Sequence, residues 1–138
     1  MLSQVQITPL EKKQDQRGWL IEAFRGDRLD LAPRGQVYVT SIKPGFTRAN
    51  HYHARKTEHF CVIDGDCLLI LVDTETGEKK EAALKGSDPA VVKIPPLTAH
   101  SLINTGHGNA YILAFIDECF SPEDPDTYSF SFTGHINP

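Results

Sequence analysis

Cysteine is scarce in this chain, with three among 138 residues, and an odd, widely spaced set does not make the framework of a disulfide-stapled domain. Cys61 and Cys67 flank a turn at Asp64 and Gly65. Read as a two-residue hairpin, that turn sets Val62 opposite Cys67, so the two sulfurs point to opposite faces and both cysteines are packing residues. Long apolar runs are also missing. The longest, from Cys67 to Val72, is far shorter than the about 20 residues of a membrane-spanning helix. There is no basic run, and the net charge is -4, which excludes a nucleic-acid scaffold. The N-terminus has no charged segment followed by an apolar one, so no secretory leader is read and a cytoplasmic location is the default expectation. No repeat or low-complexity stretch is visible. With 40% hydrophobic residues, residues 1–138 are read as one globular domain with a core of its own.

Helical periodicity is also lacking, apart from a short helical turn expected at residues 27–31. What is present is strand signal. Residues 36–43, 58–63, 67–72, 91–95, 100–104 and 110–117 are rich in β-branched and aromatic types, and Gly, Pro, Asn and Asp punctuate them. Short strands broken this often predict an all-β antiparallel sandwich or barrel. Residues 68–72 are apolar at every position, where a solvent-facing strand would alternate. That run needs cover on both faces. A partner subunit or the chain's own tail, which is rich in Pro and Asp from Ser121, would supply it.

The chemistry is concentrated in His51, His53, Glu58 and His100. Side chains alternate along a strand, so His51 and His53 share a face, and a short turn over residues 54–57 is enough to bring Glu58 back beside them. His100 follows the turn at Pro95 and Pro96, with Asn104 behind it. A lone histidine in a β-protein is usually a satisfied core or surface residue. Three imidazoles and a carboxylate in this order form a ligand set for a divalent metal: Zn, Fe, Mn, Ni or Co.

The spacing of Gly45, His51, His53, Glu58 and Gly65, then Pro95, His100 and Asn104, resembles the cupin pattern, which implies a jelly-roll β-barrel. It departs at Leu97, where cupins usually have glycine, and Gly86 lies further upstream than the pattern asks. A narrower resemblance is carried by Asp15, Arg17, Gly18, Glu22 and Phe24, which are similar to the opening of dTDP-4-dehydrorhamnose 3,5-epimerases, and by Arg48, His51 and Tyr52. A fuller likeness links Arg34, Gln36, Lys43, Pro44, Gly45, Asn50, His51, His53, Lys56, Glu58, Phe60 and the stretch 125–128 to the C-terminal cupin domain of bifunctional capsular-polysaccharide enzymes. Those enzymes epimerise and reduce UDP-linked 4-keto sugars.

These resemblances imply a nucleotide-sugar substrate and proton transfer beside a ketone. The metal-free 3,5-epimerases use the first histidine as a base, with a lysine on the next strand and a late tyrosine. Here Glu58 falls at the lysine and Leu113 near the tyrosine, so the chain resembles a metal-containing branch in which His51 is a ligand. Zn suits a reaction without redox change. Lys56, with its pKa depressed if desolvated beside a cation, and Tyr128 are the expected proton-transfer residues. Arg17 and Arg48 are expected on the diphosphate, because a planar guanidinium pairs with phosphate oxygens bidentately. Tyr52 should face away from the metal, and His59, His107 and His135 are assigned no role. The expected protein is a metal-dependent epimerase or isomerase of a nucleotide-linked 4-keto sugar. It is expected to be a homodimer working with a separate reductase, and to bind neither nucleic acid nor membrane. A cupin oxygenase and a non-catalytic sugar-nucleotide-binding cupin are the alternatives.

Overall fold

The computed structural model describes residues 2–16, 18–31 and 34–134. Strands are β1 (Gln6–Pro9), β2 (Lys13–Asp15), β3 (Gly18–Leu20), β4 (Gln36–Ile42), β5 (Thr47–Tyr52), β6 (Glu58–Asp64), β7 (Asp66–Asp73), β8 (Lys79–Lys85), β9 (Ala90–Ile94), β10 (Thr98–Asn104), β11 (Ala110–Ile116) and β12 (Tyr128–Ser129). One five-stranded sheet runs β1-β9-β6-β11-β4, and a second runs β12-β5-β10-β7-β8. Their pairings are antiparallel, giving the double sheet of a cupin jelly roll. The helical turn expected at 27–31 is a hydrogen-bonded turn one step earlier, where the Arg28 and Leu29 amides donate to the Arg25 carbonyl. No helix among the described residues is long and apolar enough to cross a membrane.

The inner faces meet in one core of Phe60, Val62, Cys67, Leu69, Leu71, Val92, Ile94, Leu102 and Ile112. The hairpin expected across Asp64 and Gly65 does not form. β6 pairs with β9 and β11, whereas β7 pairs with β8 and β10 in the opposite sheet. The chain changes sheets at Gly65, where φ is 93° and a Cβ would lie 2.8 Å from the Cα of Ala110, so only glycine passes there. Cys61 and Cys67 are free and buried in different clusters, as packing residues.

The chain's own segments cover the outer faces. Phe130 and Phe132 of the tail pack on Leu68, Ile70, Val72 and Ala99, which answers the doubly apolar run without a partner. On the other sheet, Leu10, Ile21, Ala23, Phe24 and Leu29 pack over Cys61, Ile63, Val91 and Leu113. Val37 and Val39 on β4 stay 59% and 63% exposed, with Tyr111 on the adjacent strand.

Candidate metal centre

Three of the four predicted ligands ride on strands, facing the barrel interior. His51 is on β5, Glu58 opens β6 and His100 is on β10, directly across from His51 in the ladder. A bulge precedes His51. Ala49 and Asn50 adopt φ of 73° and 55°, and the register slips between His100 and Ser101. Asn50 Oδ1 accepts from Ser101 Oγ at 2.7 Å, which ties the bulge to β10. His53 lies just past the end of β5, and Leu97 donates its amide to the His53 carbonyl at 2.7 Å. Leu97, where cupins usually carry glycine, takes φ of 62°. The turn keeps its left-handed shape, and the departure in sequence appears as backbone strain.

The donor atoms of His51, His53, Glu58 and His100 all lie within 4.8 Å of one another. The ring centroids of His51 and His100 are 4.7 Å apart and those of His51 and His53 are 4.9 Å apart. Hydrogen bonds outside the cluster set the tautomers. His53 Nδ1 donates to the Asp126 carbonyl at 2.7 Å, and His100 Nδ1 to the Thr98 carbonyl at 3.1 Å. Both Nε2 atoms therefore face Glu58 Oε2, each at 3.4 Å. His100 Nε2 is buried yet has no hydrogen-bond partner among the described residues. A buried, unsatisfied ring nitrogen aimed at a carboxylate and two more imidazoles is what a cation site requires of its protein donors, so these residues fit a divalent metal.

The electrostatics of these groups follow from burial. Desolvation, with His100 and His53 beside it, lowers the His51 pKa to about 4, so the ring is neutral and available as a donor. Burial opposes protonation of His53, but hydrogen bonds to Glu58 and the Asp126 carbonyl outweigh it and raise its pKa. Burial likewise pushes Glu58 upward, yet the His100 and His53 rings beside its Oε2, and the hydroxyl of Tyr38, hold its carboxyl below the usual range. The Tyr38 hydroxyl donates to Glu58 Oε1. Burial first, and the Glu58 charge second, keep that phenol protonated well above its ordinary range.

A cavity of about 490 Å³ opens on the cluster, lined by Tyr38, Thr40, Arg48, His51, Glu58, His100 and neighbouring side chains. Arg48 is exposed at its wall and donates Nε to the Ser41 carbonyl at 2.8 Å. Arg17 lies outside the described residues. Lys56 and Tyr128, expected to move protons, do not line the cavity. Lys56 is buried, with its amine on the Pro125 carbonyl at 3.0 Å, because the loop closes under the tail. Tyr128 is exposed on β12, stacked on Tyr52 at 5.3 Å on the outer side. His59 points away from the cluster, as alternation requires, but is buried there.

Two site residues were given no role by the sequence, although Asp126 lies in the stretch 125–128 that carries the family likeness. Tyr38 reaches Glu58 from β4. Asp126 clamps the loop between His53 and Glu58, its carboxylate accepting from the backbone amides of Ala54, Arg55 and Lys56 at 2.9, 3.0 and 3.0 Å.

The chain is 33% identical over 117 residues to UDP-2-acetamido-2,6-beta-L-arabino-hexul-4-ose reductase of Pseudomonas aeruginosa, covering 85% of this chain and 30% of that protein. It thus spans under a third of that relative's length. It is 28% identical to the spore coat polysaccharide biosynthesis protein SpsL of Bacillus subtilis, covering 91% of this chain and 87% of that one. Among solved structures, the capsular polysaccharide assembling protein CapF of Staphylococcus aureus superposes with a TM-score of 0.70 at 32% identity, over 89% of this chain and 34% of that one. A dTDP sugar isomerase of Desulfovibrio desulfuricans, at 19% identity, shares the fold with a TM-score of 0.84 over 93% of this chain and 84% of its own. Residues 13–128 match the polysaccharide biosynthesis C-terminal domain, and the chain belongs to that family.

Proposed function

We propose that this chain is a metal-dependent epimerase or isomerase of a nucleotide-linked 4-keto sugar in surface-polysaccharide biosynthesis. One observation carries the reading: three imidazoles and a carboxylate converge, and two of those imidazoles, His51 and His100, with Glu58 line a cavity of about 490 Å³ that also carries Arg48. The relatives support the substrate class, since one is named for a UDP-linked 4-keto sugar and one structure for a dTDP sugar.

In this reading His51, His53, Glu58 and His100 hold a divalent ion, with Zn first and Fe, Mn, Ni or Co as alternatives. Such an ion supplies Lewis acidity to a ketone oxygen, an effect of several kcal/mol on enolate formation. The Asp126 and Thr98 carbonyls keep Nε2 of His53 and His100 turned to the cluster. Arg48 supplies a guanidinium for the diphosphate, and Arg17 is kept as its partner in the same role. Lys56 and Tyr128 do not reach the cavity, so neither is given the proton transfer. A separate reductase is the expected partner. A homodimer is proposed through the outward face of β4 and β11, where Val37, Val39 and Tyr111 are exposed; a monomer in light scattering at micromolar concentration would refute that part.

The test is isotopic. A UDP- or dTDP-linked 4-keto-6-deoxy sugar incubated with the metal-loaded protein in heavy water should gain deuterium at C3 or C5, read by mass. Tight binding without deuterium uptake would instead favour a binding cupin, and oxygen consumption would favour an oxygenase.

A further inference from the structure

We infer that Tyr38 is a positioning residue of the metal centre: by holding one oxygen of Glu58 it limits that carboxylate to a single donor atom. The inference rests on the metal reading above and concerns a strand that carries none of the four ligands.

Tyr38 lies on β4, two strands from Glu58. The register sets Tyr38 opposite Ala114 of β11, and Ala114 opposite Phe60 of β6. Ala114 is completely buried and faces the core. Its methyl group leaves room for the phenol to cross β11 and reach the carboxylate diagonally. The hydroxyl donates to Oε1, and no other hydrogen bond to that oxygen is seen among the described residues. Oε2 is the oxygen that faces His53 and His100, at 3.4 Å from each Nε2. The two carboxylate oxygens therefore have separate tasks, one toward the scaffold and one toward the cluster. Glutamate binds cations through one or both oxygens when free to turn, and partners that engage one oxygen fix both the angle and the donor count of the other.

Without the hydroxyl, Oε1 has no partner in the scaffold, and Glu58 is free to offer both oxygens to the cluster. The donor count would change while the four ligating side chains stay in place. Tyr52, stacked on Tyr128 outside the barrel, serves as a control because its hydroxyl takes no part in this contact.

The experiment uses the full chain, stripped of metal and titrated with Co²⁺ and Zn²⁺, in wild type, Tyr38→Phe, Tyr52→Phe and Ala114→Val. Tyr38→Phe should weaken Zn²⁺ binding about 10- to 100-fold and change the intensity of the visible Co²⁺ bands, which report coordination number. Ala114→Val keeps the hydroxyl but crowds its path, so it should move both readouts the same way and cover the case in which one variant folds poorly. Tyr52→Phe should match wild type. A wild-type chain that takes up neither ion would overturn the metal reading and this one together. Normal wild-type uptake with an unchanged dissociation constant and spectrum in Tyr38→Phe would overturn this one alone.

Discussion

Replacing Asp126 with alanine removes the acceptor of three backbone amides at once, from Ala54, Arg55 and Lys56. The Lys56 amide belongs to a buried residue, and leaving it unpaired costs about 1–3 kcal/mol. Ala54 and Arg55 are exposed, so water replaces the carboxylate there and each loses about 1 kcal/mol. Position 126 has φ of 45°, a left-handed conformation that Asp tolerates better than alanine by about 1–2 kcal/mol. Asp126→Ala should therefore cost about 4–7 kcal/mol, a large share of the roughly 5–15 kcal/mol that stabilises a typical domain. At roughly 3–4 °C per kcal/mol for a chain of this size, the melting temperature should fall by about 12–28 °C. The same loop separates His53 from Glu58, and the Asp126 carbonyl orients His53. Zn²⁺ uptake should thus weaken about 10- to 100-fold. Asp126→Asn keeps an acceptor oxygen and tolerates the backbone, so it should lose only about 1–3 kcal/mol. Scanning calorimetry and chelator competition on the three proteins are the assays. An Asp126→Ala protein that melts within about 3 °C of wild type and loads metal equally would refute the clamp.

His100→Ala should keep its β-sheet circular dichroism but lose stoichiometric metal, because a barrel core does not depend on the ion as a zinc finger does; full occupancy by elemental analysis would show that His100 is not a ligand. For the metal-stripped protein, pH dependence has a defined sign. His53, raised above its ordinary 6.5, contributes stability that is complete below that pH and lost as pH rises through its folded value. His51, lowered to about 4 from 6.5, makes the unfolded chain bind more protons between those values, so stability falls as pH drops through that window. These two histidines together place a maximum near pH 6.5, and urea midpoints rising steadily from pH 5 to pH 8 would contradict it. Leu97→Gly relieves a left-handed leucine at the cost of chain entropy and a partly exposed side chain, so stability should change by no more than about 1 kcal/mol. A loss of the size of a core leucine truncation, about 2–5 kcal/mol, would show that Leu97 packs rather than strains.

The sequence alone pointed to the candidate metal quartet and to the fold class. His51 and His53 share a face because strand side chains alternate, and Glu58 is too near in the chain to be far from them in space. Turn residues and β-branched runs located the main strands for the same reason: these signals are local. The tertiary structure decided whatever depended on which strands become neighbours. An Asp-Gly pair encodes a reversal, but it does not say which sheet receives the next strand. β7 left β6 because its long-range partners β8 and β10 lie in the other sheet. Tyr38 reaches Glu58 only because β11 is between their strands and Ala114 is small. Asp126 reaches the loop only because the tail folds back with a left-handed residue at the contact. The same return of the chain drew Lys56 under Pro125, away from the cavity that its place in the sequence had suggested. Three of the four candidate ligands are local in sequence; His100 and the groups that orient the cluster are brought there by sheet order and by the path of the tail, which no short stretch of sequence encodes.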